Sequence, residues 1–327
     1  MKIEARDSRI DWLRELEPRV AELVAHHIDK GREWFPHQYI PWGAGRDYDG
    51  PLNGVAWSKE QSTVSGPVRS ALMVNLLTED NLPGYHLTIA SQTSRDGAWG
   101  AWLQRWTAEE DRHAISMRAY LHATRAVDPI ALERARMQQV GIPAVPWMKG
   151  VLGTIAYATV QEWGTRISHR NTGALSDDPV CEQLLTRIAL DENLHMVFYR
   201  ELMRAALAID PDPVLCALDD TVREFRMPGA EISSFARMTA EMAIAGVYDL
   251  RIHHDDVLIP MLRSLEIFEL GGLGPVGEQA RERIAGQLTQ IDERARRFTE
   301  RRAQARAARA QRADGTEQPY LTRTGEA

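Results

Sequence analysis

Two Glu-x-x-His motifs, Glu110 with His113 and Glu192 with His195, are the residues whose types and spacing could do chemistry in this chain. Residues three apart share one face of a helix, with Cβ atoms about 5–6 Å apart, so a carboxylate and an imidazole can converge on one ion. Chance alone yields about one such pair in a chain of this composition, so the motif by itself carries little weight. Its arrangement carries more. Glu79 lies 31 residues before Glu110 and Glu162 lies 30 before Glu192, so the chain reads Glu, Glu-x-x-His, then again Glu, Glu-x-x-His. Four carboxylates with two neutral imidazoles bring a charge of about −4, which balances two Fe(II) ions; buried without cations, they would repel one another and lose their hydration. Oxygen-rich ligation with nitrogen from two histidines suits iron, with manganese as a possible substitute, and leaves positions open for O2.

Each of these residues also has an ordinary reading. A single Glu on an amphipathic helix is usually solvated or salt-bridged, and a helical histidine is more often a surface or structural residue than a ligand. The neighbourhoods favour burial here. Glu79 is flanked on its own side by apolar residues, and Ile155 to Trp163 is almost wholly uncharged around Glu162. His86 and His169 each fall seven residues after Glu79 and Glu162, on the same faces, and are expected to support the ligands or the fold. Asp191, beside Glu192, could accept a hydrogen bond from a ligand imidazole, or equally pair with an arginine.

To position these side chains the sequence offers long segments of 3.6-residue periodicity and no convincing alternation of strand type. Helices are expected at 8–30, 63–92, 98–123, 128–140, 146–170, 178–208, 212–225, 231–243, 248–268 and 275–312. Asp128-Pro129 and Asp178-Pro179 are good amino-terminal caps, Pro83 should kink the helix bearing Glu79 one turn later, and Gly271, Gly272 and Gly274 break the chain before the last helix. Residues 31–62, rich in Gly, Pro and Trp, form a long connection of the kind that lines or covers something. No linker divides the chain, so a single domain is expected over 1–313, followed by a polar tail over 314–327. The fold class is all-α. Four helices so equipped resemble the ferritin-like carboxylate bundles that hold two iron or manganese ions, here with additional helices around the four-helix core.

Composition narrows the class. A hydrophobic content of 44% in 327 residues supports a real core, and no stretch approaches the roughly 18 apolar residues of a membrane span. The charged start of the chain lacks an apolar segment behind it, and Cys181 and Cys216 are the only cysteines, which suits a reducing cytoplasm rather than a disulfide framework. A net charge of −7 argues against a general nucleic-acid binder. Eight arginines nevertheless crowd Arg294 to Arg312 against the single acid Glu300, as a solvated helix face or a dock for an acidic partner.

Longer strings resemble the soluble acyl-acyl-carrier-protein desaturases, in particular the actinobacterial branch related to the plastid stearoyl enzyme. They are Trp34-Phe-Pro-His-Gln-Tyr-Ile-Pro-Trp42, Thr78-Glu-Asp-Asn-Leu-Pro-Gly-Tyr85, Trp106-Thr-Ala-Glu-Glu-Asp-Arg-His113, Gln161-Glu-Trp-Gly-Thr-Arg-Ile-Ser-His-Arg-Asn-Thr172 and Asp191-Glu-Asn-Leu-His195, within a match from about Leu13 to Phe298. The resemblance implies that Glu79, Glu110, His113, Glu162, Glu192 and His195 hold two iron ions. It implies that Thr165 stands beside the O2 pocket and assists proton delivery, and that Trp34 and Asp191 relay electrons toward His113, with Trp106 close to the ligands. It further implies a cis double bond placed in a saturated acyl chain delivered by acyl carrier protein, electrons from a ferredoxin-type donor, and a homodimer.

Two departures stand out: the family usually has Asn where Asp111 stands, and the stretch after Val140 is shorter than in its actinobacterial relatives. The acyl chain is expected in an apolar channel lined from the helices holding Met73, Leu76, Leu77, Ile155 and Tyr157, and the carrier on a basic patch that includes Arg166, Arg170 and the last helix. The same ligands would also serve a hydroxylase or N-oxygenase of a carrier-bound substrate, or a non-catalytic ferritin-like iron-binding protein.

Overall fold

The computed structural model describes residues 10–141, 149–227, 229, 232 and 234–315. The expected helices are present: α1 (Trp12–Lys30), α2 (Gly66–Asp80), α3 (Leu82–Gln92), α4 (Gly97–Ala123), α5 (Pro129–Val140), α6 (Gly150–Leu175), α7 (Pro179–Ile209), α8 (Pro211–Glu224), α9 (Phe235–Ala245), α10 (Leu250–Ile252), α11 (Ile259–Ser264) and α12 (Pro275–Gly315). A π-helical turn, His253–Leu258, joins α10 to α11. Among the described residues there is no β-strand, only an isolated bridge between Tyr48 and Val55.

Helices α2, α4, α7 and α6 form a closed ring of packed neighbours, with α6 and α7 in the longest contact. This ring is the four-helix core. α1 lies against α4 and α7, α9 against α2, and α12 runs along α8 and α10. The amphipathic spacing of α1 shows why it docks: Trp12, Leu16, Val20, Leu23 and His27 recur every three or four residues and are the residues it buries. Asp128 and Asp178 cap α5 and α7 as expected, their carboxylates accepting from the first backbone amides while Pro129 and Pro179 occupy the first turn.

The reading of 63–92 as one kinked helix needs correction. The chain breaks at Asn81, so that α2 ends at Asp80, one residue after Glu79, and α3 restarts with Pro83 in its first turn. Pro83 has no N–H for the carbonyl of Glu79, and its ring would collide with that carbonyl. Other boundaries move less: α6 continues to Leu175, and α11 stops at Ser264 rather than 268. Residues 31–62 carry three short 3-10 turns and cover one end of the bundle, sinking Trp34 and Ile40 into the core beside Val68, Leu72 and Met117. The shortened stretch after Val140 lies outside the described residues, as does the tail beyond Gly315; residues 314 and 315, assigned to the tail from sequence, end α12.

Candidate metal centre

Glu79 stands near the end of α2, Glu110 and His113 on α4, Glu162 on α6, and Glu192 and His195 on α7, so each core helix contributes. All six side chains are between 0 and 6% exposed. They fall into two overlapping groups whose ligand atoms lie within 4.8 Å of one another: Glu79, Glu110, His113 and Glu192, and Glu110, Glu162, Glu192 and His195. Glu110 and Glu192 belong to both, the arrangement expected of carboxylates that bridge two ions while the other residues terminate one each.

The donor atoms aim at common points rather than at one another. His195 Nδ1 comes within 2.9 Å of Glu110 Oε1, and His113 Nδ1 within 3.2 Å of Glu192 Oε1. Neither approach has hydrogen-bond geometry. Glu79 Oε2, Glu110 Oε1, His113 Nδ1, Glu162 Oε2, both oxygens of Glu192 and His195 Nδ1 are all buried without a hydrogen-bond partner. Orphaned buried polar atoms are costly and rare, and seven facing one another fit divalent cations held between them.

Electrostatics says the same. Burial, then the charges of neighbouring carboxylates, push Glu79 well above the usual carboxylate range; burial and the same neighbours, against His195, push Glu162 up as well. Burial works to raise Glu192 too, but the imidazoles of His113 and His195 hold it well below. Burial disfavours the charged form of His113, yet Asp191 and Glu192 raise it to about 9. These shifts favour protons on the metal-free centre, and metal must displace them. Fe(II) uptake is expected to release protons and to tighten as pH rises. Calorimetric titration in buffers of different ionisation enthalpy measures this, and uptake without proton release would contradict the assignment.

The second nitrogen of each imidazole is held from outside. His113 Nε2 lies 3.4 Å from Asp191 Oδ2, which also accepts from Trp34 Nε1 at 2.7 Å and Arg112 at 2.8 Å, while Arg187 bonds Asp191 Oδ1. Trp34 is buried and its ring stacks near that of His113, with the Arg112 guanidinium over the Trp34 ring, 4.6 Å from its centroid. Trp106 Nε1 donates to Glu162 Oε1 at 3.0 Å. His195 Nε2 meets Glu109 Oε2 at 2.9 Å, and the same oxygen meets His27 Nε2 at 2.9 Å. His27, Glu109 and His195 could in principle group around a further ion. His195 turns Nδ1 toward the carboxylates and Nε2 toward Glu109, so the latter contact is read as a hydrogen-bonded support.

Glu109 and His27 were missed from sequence. The signal for Glu109 was available: it precedes Glu110 as Asp191 precedes Glu192, and each of these acids reaches across to the histidine of the opposite motif. His169, expected as a support, places Nε2 3.2 Å from Glu79 Oε1; His86 instead pairs with Thr107 at 2.8 Å, away from the ligands. Thr165 donates its hydroxyl to the carbonyl of Gln161 at 2.8 Å rather than to any of the six. Asp111 is exposed, so this departure from the family leaves the centre untouched.

Thr165 does line a cavity of about 570 Å3 that reaches Glu79 and Glu110, within the size range of small-molecule sites. The helices expected to line it, α2 and α6, do so, but through other residues. Leu76, Leu77, Ile155 and Tyr157 are packed in the core, and neither they nor Met73 line the cavity. Val74, Thr78 and Gln161 stand on the faces of α2 and α6 that do, and Leu82 and Tyr85 of α3, α9, the π-helical turn and Phe298 of α12 are among the other lining residues.

The chain matches the fatty acid desaturase family over residues 8–314. It is 41% identical to a Mycobacterium tuberculosis protein named as the acyl-[acyl-carrier-protein] desaturase DesA1, over 86% of this chain and 85% of that one. It is 27% identical to the chloroplastic stearoyl-[acyl-carrier-protein] 9-desaturase of Solanum tuberosum, over 94% and 80%. The X-ray structure of DesA2 from Mycobacterium tuberculosis superposes with a TM-score of 0.67 at 28% identity, covering 82% of this chain and 98% of DesA2. With a family match over residues 8–314 and a buried carboxylate and histidine centre reached by a cavity, this protein is a member of the fatty acid desaturase family.

Proposed function

We propose that the chain is an O2-dependent desaturase that introduces a cis double bond into a saturated acyl chain carried on acyl carrier protein. The observation that carries this reading is the cavity: it brings an otherwise largely apolar space up to Glu79 and Glu110 of a centre suited to two cations. Glu79, Glu110, Glu162, Glu192, His113 and His195 would hold two iron ions. When bound, iron supplies the O2 chemistry needed to break two unactivated C–H bonds, for which no side chain is a strong enough base.

The protein's own contribution is placement. Val74, Leu82, Phe235 and Met242 remove water from around the chain, and the cavity fixes which methylenes face the carboxylates. Thr165, on α6 in the cavity wall, is positioned to hand over a proton through its hydroxyl. Trp34, Asp191 and His113 form an unbroken contact path from the covering segment to the centre, suited to electrons from a ferredoxin-type donor. Arg166 is half-buried, and Arg170 and Arg200 stand near enough to lower its pKa further after burial. This local positive charge, with the arginines of α12, suits an acidic carrier despite the negative total. A homodimer in the cytoplasm completes the proposal; among the described residues no helix is long and apolar enough to cross a membrane.

Iron-loaded protein supplied with O2, a reduced ferredoxin-type donor and a saturated acyl carrier protein thioester is expected to yield a monounsaturated acyl product by mass spectrometry. A hydroxylated product, or oxidation of iron with the acyl chain untouched, would overturn the reading.

A further inference from the structure

The wall of the cavity opposite the carboxylates is not wholly apolar. Tyr248, Asp249 and His253 line it among phenylalanines and methionines. Asp249 has no capacity to spare: one oxygen caps α10 by accepting from the amides of Arg251 and Ile252, and the other binds Arg302 at 2.8 Å. His253 is different. It opens the π-helical turn, a distortion that recurs at functional sites, and its ring stacks on Phe225 with centroids 5.2 Å apart. Its Nδ1 lies 2.9 Å from the hydroxyl of Tyr248. Its Nε2 bonds no described residue, although the side chain is more than nine-tenths buried. Nor is Nε2 among the occluded atoms without partners, so it opens into the space that the ring lines.

The donor and acceptor roles follow. Burial raises the Tyr248 hydroxyl far above its ordinary pKa, so it stays protonated, and Nδ1 is the acceptor within its reach. Burial lowers His253 to about 4, so the ring is neutral. Tyr248 donating to Nδ1 leaves the proton on Nε2, a single N–H directed at the cavity. The hydroxyl of Tyr248 is itself pressed against α6 at Gly164, where an added Cβ would come within 2.8 Å of it. That contact fixes the pair relative to Thr165 and Glu162 on the same helix.

We propose that His253, oriented by Tyr248, is a specificity-determining residue that donates a hydrogen bond to a neutral oxygen of the substrate and so sets how far the acyl chain runs past Glu79 and Glu110. This rests on the reading of the cavity as the acyl site. The oxygen is a carbonyl or hydroxyl, and it has two possible sources: the thioester and amide carbonyls through which an acyl group hangs from its carrier, or an oxygen on the acyl chain.

The test is equilibrium binding to iron-loaded protein without reductant, so that nothing turns over. Three probes are used: palmitoyl-pantetheine, S-hexadecyl-pantetheine, which lacks the thioester carbonyl, and S-(10-hydroxyhexadecyl)-pantetheine. His253→Phe keeps the stacked ring and removes the donor. It is expected to weaken binding about five- to tenfold, the effect of one hydrogen bond to a neutral acceptor, with His253→Gln restoring part of it. Loss confined to palmitoyl-pantetheine identifies the thioester carbonyl, loss confined to the hydroxylated probe a chain oxygen, and equal loss with all three the amides of the arm. Equal binding of every probe by parent and His253→Phe would overturn the proposal and leave the acyl site standing. Failure of the parent to bind any probe would remove both. Should His253→Phe lose its iron or its cooperative melt, Tyr248→Phe carries the same test, with about two- to threefold weaker binding expected and unchanged binding counting against the proposal.

Discussion

Replacing Glu162 by alanine is expected to reduce bound iron from two ions to about one per chain and to bring desaturation below detection. Glu162 belongs to one ligand group only, buried beside Trp106 and His195, and the other carboxylates of that group, Glu110 and Glu192, already serve both groups. The isosteric Glu162→Gln separates this loss from damage to the fold. Glu162 has a folded pKa raised above its unfolded value by burial and by Glu192 and Glu110. Its contribution to stability is therefore fully present below the unfolded pKa and is lost as pH rises through the folded one. The metal-free glutamine variant should melt with the metal-free parent near pH 4 and a few degrees above it at pH 8. With iron bound the order should reverse, because the parent then gains binding energy that the variant lacks. Iron analysis and thermal melts at the two pH values measure this. A variant that retains two irons, or a metal-free variant less stable than the parent at pH 8, would remove Glu162 from the centre.

Why Glu162 could be found from sequence at all is a matter of periodicity. A spacing of three positions from Glu to His fixes a shared helix face, about thirty positions from a lone Glu to the next motif fix a helix, a turn and a return, and neither inference needs tertiary knowledge. Helix caps are equally local, which is why Asp128 and Asp178 were legible. What failed to show was set by contacts between distant segments. His27 lies 82 residues before Glu109, and nothing in α1 distinguishes it from a core histidine on an amphipathic stripe. The helices that line the cavity were legible but not the face they turn to it: Leu76 and Leu77, two and three positions after Val74, are as apolar as it is, and the docking of α9 helps decide which face of α2 is filled and which is left open. The break at Asn81 was visible in Pro83, but its consequence, a helix ending beside Glu79, depends on where the chain resumes.

A pattern emerges in how the two motifs support each other. Each ligand histidine is held by the acid that precedes the ligand glutamate of the other motif, so α4 and α7 are locked by a reciprocal pair of contacts through the centre. The two halves differ in what lies outside. Beyond Asp191 are Trp34 and two arginines; beyond Glu109 are His27 and the half-exposed Arg105. The likeness of the inner contacts predicts a shared effect on metal binding, and the difference of the outer ones predicts divergent effects on folding.

Glu109→Ala and Asp191→Ala should each weaken iron binding by about 10–100-fold, the usual consequence of freeing a ligand imidazole to rotate or to change tautomer. Their cost to the metal-free fold should differ. Removal of Asp191 strands Arg187, which is 6% exposed, as a buried charge without its carboxylate, a loss of roughly 3–5 kcal/mol. Removal of Glu109 leaves Arg105 free to hydrate, since its side chain is 44% exposed, and deprives the imidazoles of His27 and His195 of a hydrogen bond, at about 1–3 kcal/mol. Denaturant unfolding of the metal-free variants, paired with iron titration, separates the two quantities. Equal destabilisation would mean that Asp191 does not anchor Arg187 in solution. Unchanged iron affinity in Glu109→Ala would mean that His195 is held by packing against Trp102 rather than by its carboxylate.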